Sequence, residues 1–171
     1  MDFFDTVANR HSIRAFKDRE IEQEKVGRIL EAMNRAPSAG DLQAYQVYVV
    51  RSRKRRLALA RAALEQFFIS DAPVVLVFCA LPMRSGDKYG MRGEELYAVQ
   101  DATIACAYAQ LAASALGLGS TWVGAFDEGA VRRAVGAGMD EVPVAILPVG
   151  YPDEVPEPAT RRAVAEMVRE V

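Results

Sequence analysis

The sequence predicts an α+β fold in which helices pack on a sheet of four or five strands. Two continuous apolar runs, residues 73–80 and 142–149, are typical of strands that are buried on both faces. Residues 22–36 carry apolar side chains at intervals of three and four, the period of a helix with one buried stripe. The 171 residues are 51% hydrophobic and 26% charged, so we expect one domain, residues 1–171, with its own core.

The first half of the chain alternates between helix and strand patterns. In order, these patterns predict a short helix capped by Asp2, a helix over 22–36 that Pro37 ends, a strand over 45–50, a helix over 53–68 and the buried strand over 73–80. The basic run over residues 51–56 lacks matching aromatic side chains, so we interpret it as the solvated start of the third helix.

The second half continues this alternation and ends in an extended segment. In order, the patterns predict a mobile loop over 82–93, a long helix over 94–116 that Gly117 ends, a short strand over 120–123, a helix capped by Asp127 that reaches residue 135 and the buried strand over 142–149. Residues 156–171 form a C-terminal arm, which Pro156 and Pro158 hold extended at its start. Because the arm follows the last core strand, we expect it to lie on a partner subunit.

Charge and polarity exclude several kinds of partner. The net charge of −2 leaves no basic field to hold nucleic acid or an anionic membrane. The most apolar helix contains Gln100, Asp101 and Gln110, which make it too polar to span a membrane. Cys79 and Cys106 lie inside apolar runs and fit no zinc or redox motif, so we expect reduced thiols. The acidic N-terminus does not resemble a signal peptide, and we therefore expect a cytoplasmic protein.

The sequence also limits the available chemistry. His11 is the single histidine, so any histidine-dependent nucleophile would have to use it, and a histidine metal cluster is excluded. We find no convincing metal-ligand set and no Walker loop. The glycines of residues 117–124 superficially resemble a dinucleotide fingerprint. That motif follows a strand and opens a helix, whereas this segment closes a helix and opens a strand.

Three polar side chains near the N-terminus, those of Arg10, Ser12 and Arg14, occupy alternate positions. Alternate side chains of an extended backbone share one face, so two guanidinium groups and a hydroxyl would converge there. This set suits a phosphate together with a second electron-rich group. A solvated surface strand would show the same alternation.

Two further segments combine small residues with polar groups at the junctions of helices and strands. Residues 37–43 follow a helix and lead into a strand, and they offer the Ser38 hydroxyl beside a glycine that permits close backbone approach. Residues 119–127 place Gly124 and Ala125 at the end of a strand, where a backbone N–H is accessible to a flat ligand. Each segment taken alone fits a plain turn.

Four segments, taken together and in this order, resemble the nitroreductase family of FMN flavoproteins. They are residues 9–16 (NRHSIRAF), 36–43 (APSAGDLQ), 116–127 (LGLGSTWVGAFD) and 142–152 (VPVAILPVGYP). The resemblance implies a central, mostly antiparallel sheet and an intertwined homodimer with FMN at the subunit interface. It also implies an enzyme that moves electrons from NADH or NADPH through flavin N5 to a nitroaromatic, a quinone or a flavin by a ping-pong mechanism.

The resemblance also implies roles for residues at matching positions. The implied cofactor-binding residues are Arg10, His11, Ser12, Arg14, Pro37, Ser38, Ala39, Asp41, Gln66, Trp122, Val123, Gly124, Ala125, Arg161 and Arg162. Among these, Arg10, Ser12 and Arg161 would bind the phosphate. Arg14 would approach N1 and O2 of the isoalloxazine ring, and the backbone of Gly124 or Ala125 would donate to N5, which makes these three the implied catalytic positions. The other implied contacts are the phosphate or ribityl chain (His11), the flavin lining (Ser38, Asp41) and the pyrimidine edge (Gln66).

Three positions depart from the family's pattern. Asp41 stands where the family usually has asparagine, Ala163 stands where a proline is common, and residues 82–93 are shorter than the helical excursion of longer members. Flavin chemistry needs no histidine base, metal or nucleophile from the protein, which agrees with the residues that are missing. A specialised flavin enzyme such as a dehalogenase or flavin-destroying oxygenase, a non-catalytic FMN-binding or redox-sensing protein, and a structural dimer without a ligand remain alternatives.

Overall fold

The computed structural model of the chain describes residues 2–157 and 159–171. The expected stiffening of the arm by Pro158 therefore lies outside the described residues. The helices are α1 (Phe3–Asn9), α2 (Gln23–Asn34), α3 (Arg53–Ala62), α4 (Phe68–Asp71), α5 (Pro82–Arg92), α6 (Ala98–Ala115) and α7 (Glu128–Val135). The strands are β1 (Tyr45–Val50), β2 (Val74–Ala80), β3 (Gly119–Ser120) and β4 (Val142–Gly150).

The four strands form one antiparallel sheet in the order β1-β2-β4-β3. This arrangement confirms the predicted α+β class and the mostly antiparallel sheet. The register places Tyr45 of β1 beside Ala80 of β2, and Ala80 beside Val142 of β4. At the other end of β4, Val149 pairs with Ser120 of β3.

Helices cover both faces of the sheet. On one face, Leu76 and Phe78 of β2 pack in a cluster with residues of α2 and α6, including Ile29. On the other face, Val75 and Val77 pack in a cluster with residues of α3 and α7. Every residue of β2 is therefore buried, which explains why residues 73–80 form an unbroken apolar run.

The region over residues 82–93 is helical, so the predicted mobile loop is wrong. Pro82 occupies the first turn of α5, where the missing proline N–H has no cost. Gly90 has φ +58 and turns the chain, and a π-helical turn, Gly93–Tyr97, then leads into α6. A Cβ on Gly93 would lie 2.4 Å from the Ser85 carbonyl oxygen. Gly90 serves a turn, and Gly93 serves a close contact between helices. Composition alone does not distinguish glycines in these roles from glycines in a loop.

Two other predicted boundaries are wrong by several residues. The helix over 53–68 ends at Ala62, because Leu64 and Glu65 adopt positive φ and reverse the chain before the short helix α4. The strand over 120–123 is continuous only at Gly119–Ser120, and Val123 joins the sheet through an isolated bridge to Ile146. Local helix and strand preferences do not predict such tertiary pairings.

Candidate functional site

The N-terminal segment of residues 10–16 runs along the β3 edge of the sheet. Ser12 forms a bridge to Ser120, and the Ile13 N–H donates to the Ser120 carbonyl at 3.0 Å. Ile13 is buried against Gly119, where an added Cβ would lie 2.8 Å from the Ile13 side chain. The exposed Arg14 side chain therefore follows a buried neighbour, as the predicted alternation requires.

The chain just after β4 holds this segment from the other side. The Ala15 N–H donates to Glu154 Oε1 at 3.0 Å, and the Arg14 N–H donates to the same oxygen. The Asp153 N–H donates to the Ala15 carbonyl at 2.9 Å, and the Lys17 N–H donates to the Tyr151 carbonyl at 2.9 Å. A regular ladder of backbone contacts thus fixes where the N-terminal side chains point.

These contacts create a polar cavity of about 600 Å³. It is lined by Arg10, His11, Ser12, Arg14, Glu154, Pro156, Glu157, Ala159 and Arg161. Among the described residues, no carboxylate oxygen lies within 4.0 Å of the guanidinium nitrogens of Arg10, Arg14 or Arg161. Three cationic side chains that form no ion pair and the Ser12 hydroxyl therefore line one cavity, a set that suits a phosphate monoester. We call residues 10–16 with this cavity the basic corner.

Arg162 lies outside the residues that line this cavity. Its side chain instead forms an ion pair with Glu166, at 3.6 Å between Nε and Oε2. From Ala159 to Val171 every residue is exposed, including Val164, Met167 and Val168. The arm therefore presents apolar side chains that the body of the same chain does not cover.

Residues 37–44 form a second polar feature, which we call the loop corner. Ser38 Oγ accepts the Gln43 N–H at 3.0 Å, so the hydroxyl hydrogen of Ser38 remains free to donate. Asp101 of α6, which is 2% exposed, accepts the Ala39 N–H at 2.9 Å and the Ala44 N–H at 3.1 Å. Asp41 is exposed and has φ +57.

The two corners lie at diagonally opposite ends of the sheet. Val142, level with Tyr45 and the loop corner, and Val149, level with Ser120 and the basic corner, are seven residues apart on β4. Seven residues of strand span about 24 Å, and three strand spacings add about 14 Å across the sheet. One chain therefore keeps the two predicted cofactor-binding segments roughly 28 Å apart.

Helix α5 packs over the loop corner. The Arg84 Nε–H donates to the Leu42 carbonyl at 2.6 Å. The hydroxyl oxygen of Tyr89 and Nζ of Lys88 would lie 2.3 Å and 2.7 Å from a Cβ added to Gly40. The segment predicted as a mobile loop thus forms a helical cover whose basic and aromatic side chains reach residues 40–42.

The third predicted segment follows β3. Val123 is buried and bonded to Ile146, whereas Gly124 and Ala125 are exposed. Within the described part of the chain, the N–H groups of Gly124 and Ala125 have no hydrogen-bond acceptor. They are free to donate to a ligand, and the half-buried Trp122 lies beside them, with its Nε1 3.4 Å from a Cβ added to Gly124.

Gln66 lies in the turn between α3 and α4, with its side-chain amide donating to the Ala63 carbonyl at 2.8 Å. In this conformation the amide nitrogen is engaged inside its own turn. Gln66 is not among the residues that line the cavity of the basic corner.

Sequence reasoning missed Glu154 and Asp101, the two carboxylates that bind the backbone of the two corners. The available signal for Asp101 is its isolated position as an acidic residue in an apolar helix. No comparable signal marks Glu154, because acidic residues after a strand are ordinary surface.

The two thiols are poor nucleophiles. Burial raises the pKa of Cys79 to about 12, and burial also raises the pKa of Cys106 well above its usual value. Both are free and buried. Over residues 2–157 and 159–171, no three His, Cys, Asp or Glu side chains are grouped so that they could hold a metal ion. In the same part of the chain, every helix is too short or too polar to cross a membrane.

Comparison with known proteins identifies the family. The chain matches the nitroreductase family over residues 7–81 and 58–151. It is 32% identical over 161 residues to a protein of Methanothermobacter thermautotrophicus provisionally named NADH dehydrogenase/NAD(P)H nitroreductase, covering 91% of this chain and 80% of that protein. A protein of the same provisional name from Archaeoglobus fulgidus is 33% identical over 152 residues, covering 86% and 84%.

The fold also resembles solved structures. The NADPH:FMN oxidoreductase of Vibrio harveyi in complex with NAD⁺ superposes with a TM-score of 0.89 at 25% identity, covering 98% of this chain and 76% of that one. Sequence and fold agree, and the chain belongs to the nitroreductase family.

Proposed function

We propose that this protein is an FMN-dependent oxidoreductase that takes electrons from NADH or NADPH and passes them to a small acceptor in alternating half-reactions. The acceptor is a nitroaromatic, a quinone or a flavin. The observation that carries the proposal is the basic corner, where Arg10, Ser12, Arg14 and Arg161 line one cavity of about 600 Å³. The relatives named NAD(P)H nitroreductase and NADPH:FMN oxidoreductase support it.

The residues of the basic corner fit the groups of FMN. Arg10, Ser12 and Arg161 bind the phosphate, which carries the charge that riboflavin lacks. Bound FMN supplies the two-electron carrier that accepts hydride at N5 and passes it on. Arg14 places positive charge at the N1 and O2 edge, where reduction adds negative charge. The N–H groups of Gly124 and Ala125, which have no acceptor among the described residues, would donate to the N5 edge.

A homodimer completes the site in this proposal. The basic corner and the loop corner of one chain are roughly 28 Å apart, farther than one flavin mononucleotide spans. A two-fold axis brings the basic corner of one subunit to the loop corner of its partner. The exposed apolar side chains of the arm, Val164, Met167 and Val168, supply surface for the partner to cover.

The test is anaerobic titration of the purified, FMN-loaded protein with NADH and with NADPH. The proposal expects bleaching of the flavin absorbance by at least one donor and its return when a quinone or nitroaromatic is added. Bound FMN that neither nucleotide reduces would instead indicate a binding or sensing protein. Failure to bind added FMN would contradict the proposal altogether.

A further inference from the structure

The carboxylate of Asp101 is the most deeply buried charged side chain near the loop corner. It projects from the first turn of α6 and is 2% exposed. Its Oδ1 accepts the Ala39 N–H at 2.9 Å and its Oδ2 accepts the Ala44 N–H at 3.1 Å. The two amides bracket the loop, so one side chain binds both of its ends.

The loop between these amides has a conformation that needs external support. Gly40 has φ +58, and the non-glycine residues Asp41 and Gln43 have φ +57 and +47. Side chains rarely adopt this left-handed region, and such residues persist only where surrounding contacts determine them. Within the loop the Gln43 N–H donates to Ser38 Oγ. The Gln43 side-chain amide also donates to the Asn34 carbonyl of α2, and the Arg84 Nε–H of α5 donates to the Leu42 carbonyl, but both contacts are exposed, whereas the contact of the Ala44 N–H with Asp101 is buried.

Asp101 makes backbone contacts and no ion pair. Among the described residues, no Lys or Arg nitrogen lies within 4.0 Å of its oxygens. A buried carboxylate without hydrogen bonds would be strongly unfavourable, and the two N–H groups are the partners that it has. The contact therefore fixes the position of the loop relative to α6, and α6 runs on to the basic corner, where Ser114 lies near Arg10 and His11.

We propose that Asp101 is a positioning residue for flavin binding, which holds the loop of residues 38–44 in the one conformation that presents the Ser38 hydroxyl to the flavin. Asp101 itself contacts no cofactor. This inference rests on the proposed function, because it takes the loop corner to be part of the FMN site.

The decisive variant is Asp101→Asn. Asparagine has nearly the same shape but only one acceptor oxygen, so its NH₂ group would face a backbone N–H and release one end of the loop. Ala109→Gly is the matched control, because Ala109 is buried on the same helix about two turns beyond Asp101. Glycine in a helix lowers stability without altering the loop.

We expect Asp101→Asn to raise the Kd for FMN at least tenfold and to change the visible circular dichroism of the flavin that still binds. Ala109→Gly should lower Tm about as much as Asp101→Asn does, and it should keep the Kd for FMN within twofold of the wild-type value. An Asp101→Asn protein with wild-type Kd and dichroism would overturn the inference. Equal losses of affinity in the two variants would also overturn it, because they would show a general effect of stability.

Amide exchange of the unmutated protein provides a second test that needs no variant to fold. Measured by NMR without FMN, the Ala39 and Ala44 amides should exchange at least tenfold more slowly than the exposed Gly40 amide. Equal exchange rates at these positions would contradict the contact with Asp101. The two failures remain distinguishable: a wild-type protein that binds no FMN contradicts the proposed function, whereas unprotected Ala39 and Ala44 amides contradict only the inference.

Discussion

At both corners of the sheet a carboxylate accepts backbone N–H groups, but the two carboxylates differ in solvent exposure. At the basic corner an exposed carboxylate, Glu154, accepts the backbone N–H groups of Arg14 and Ala15. At the loop corner a buried carboxylate, Asp101, accepts the N–H groups of Ala39 and Ala44. Water competes for the first contact and is excluded from the second. The comparison indicates that the Glu154 contact can exchange with water when a ligand binds, whereas the Asp101 contact is fixed in advance.

The two corners also differ in the side chains that they could offer to a ligand. The basic corner offers long, charged side chains, Arg10, Arg14 and Arg161, without ion-pair partners among the described residues. The loop corner offers short groups, such as the Ser38 hydroxyl, on a backbone with positive φ at Gly40. We therefore expect the basic corner to contribute affinity through charge and the loop corner to contribute shape.

The largest expected effect comes from removing residues 156–171. The truncated chain loses Arg161 and the apolar side chains of the arm, so we expect it to lose both the dimer and the FMN. Sedimentation and flavin absorbance measure the two losses. Full-length Arg161→Gln is the control, since it should weaken FMN binding and stay dimeric. A truncated protein that is still dimeric and yellow would show that the arm has neither role.

Charge removal at the basic corner should have the next largest effect. Arg10→Gln removes charged hydrogen bonds to the phosphate, each worth about 1.5–3 kcal/mol, so the Kd for FMN should rise roughly 10- to 100-fold. Raised salt should weaken wild-type binding more than binding by this variant. The control is Arg61→Gln, on an exposed position of α3. Unchanged affinity in Arg10→Gln would remove this residue from the site.

Arg14 should act on the redox potential of the flavin more than on its binding. A fixed guanidinium near N1 stabilises the reduced form by about 1–2 kcal/mol, which corresponds to roughly 20–40 mV for a two-electron couple. Arg14→Gln should lower the midpoint potential by that amount in a spectroelectrochemical titration and leave FMN bound. The potential of the flavin remaining in Arg10→Gln should be nearly unchanged. Identical potentials in wild type and Arg14→Gln would place Arg14 elsewhere.

The smallest effect concerns the exposed carboxylate of Glu22, which contacts Tyr151 just after β4. The Tyr151 hydroxyl, which donates to Glu22 at 2.5 Å, is the main cause that lowers the pKa of Glu22 from 4.5 to about 2. A lowered pKa stabilises the fold above pH 4.5, and this contribution is lost as pH falls towards 2. Glu22→Gln should therefore lower Tm slightly at pH 7, and the difference should shrink below pH 4.5. Glu31→Gln, at an exposed position of α2, is the control variant.

Sequence patterns predicted the basic corner better than the loop corner. The alternation of Arg10, Ser12 and Arg14 is a local property of the sequence. This extended segment has to pair with only one edge of the sheet for the alternation to place the three side chains. The support of the loop corner is non-local, since Asp101 is 57 residues from Ala44 along the chain. Neither a hydrophobic period nor a sequence motif encodes such a contact. Local patterns also failed to predict α5 as a helix, because its glycines resemble those of a loop.

Local sequence patterns also could not predict how far apart the two corners lie. Strand order and register decide which segments meet, and these depend on pairings such as Ala80 with Val142. The resemblance to a family grouped residues 10–14 with residues 37–41 as one site. The structure shows that these segments of a single chain lie at opposite ends of the sheet.

The most direct test of a site shared between subunits is complementation between two defective chains. Arg10→Gln disables the basic corner, and Gly40→Val disables the loop corner, because Gly40 has φ +58, a left-handed conformation that a β-branched residue rarely adopts. The two variants are unfolded together, refolded as a mixture and titrated with FMN at a concentration that neither parent binds. If each site joins two subunits, half of the dimers are mixed and each has one intact site, so about one quarter of the sites should bind FMN. If each site instead lies within one chain, every site carries a defect and the mixture binds no FMN. That result would contradict the account.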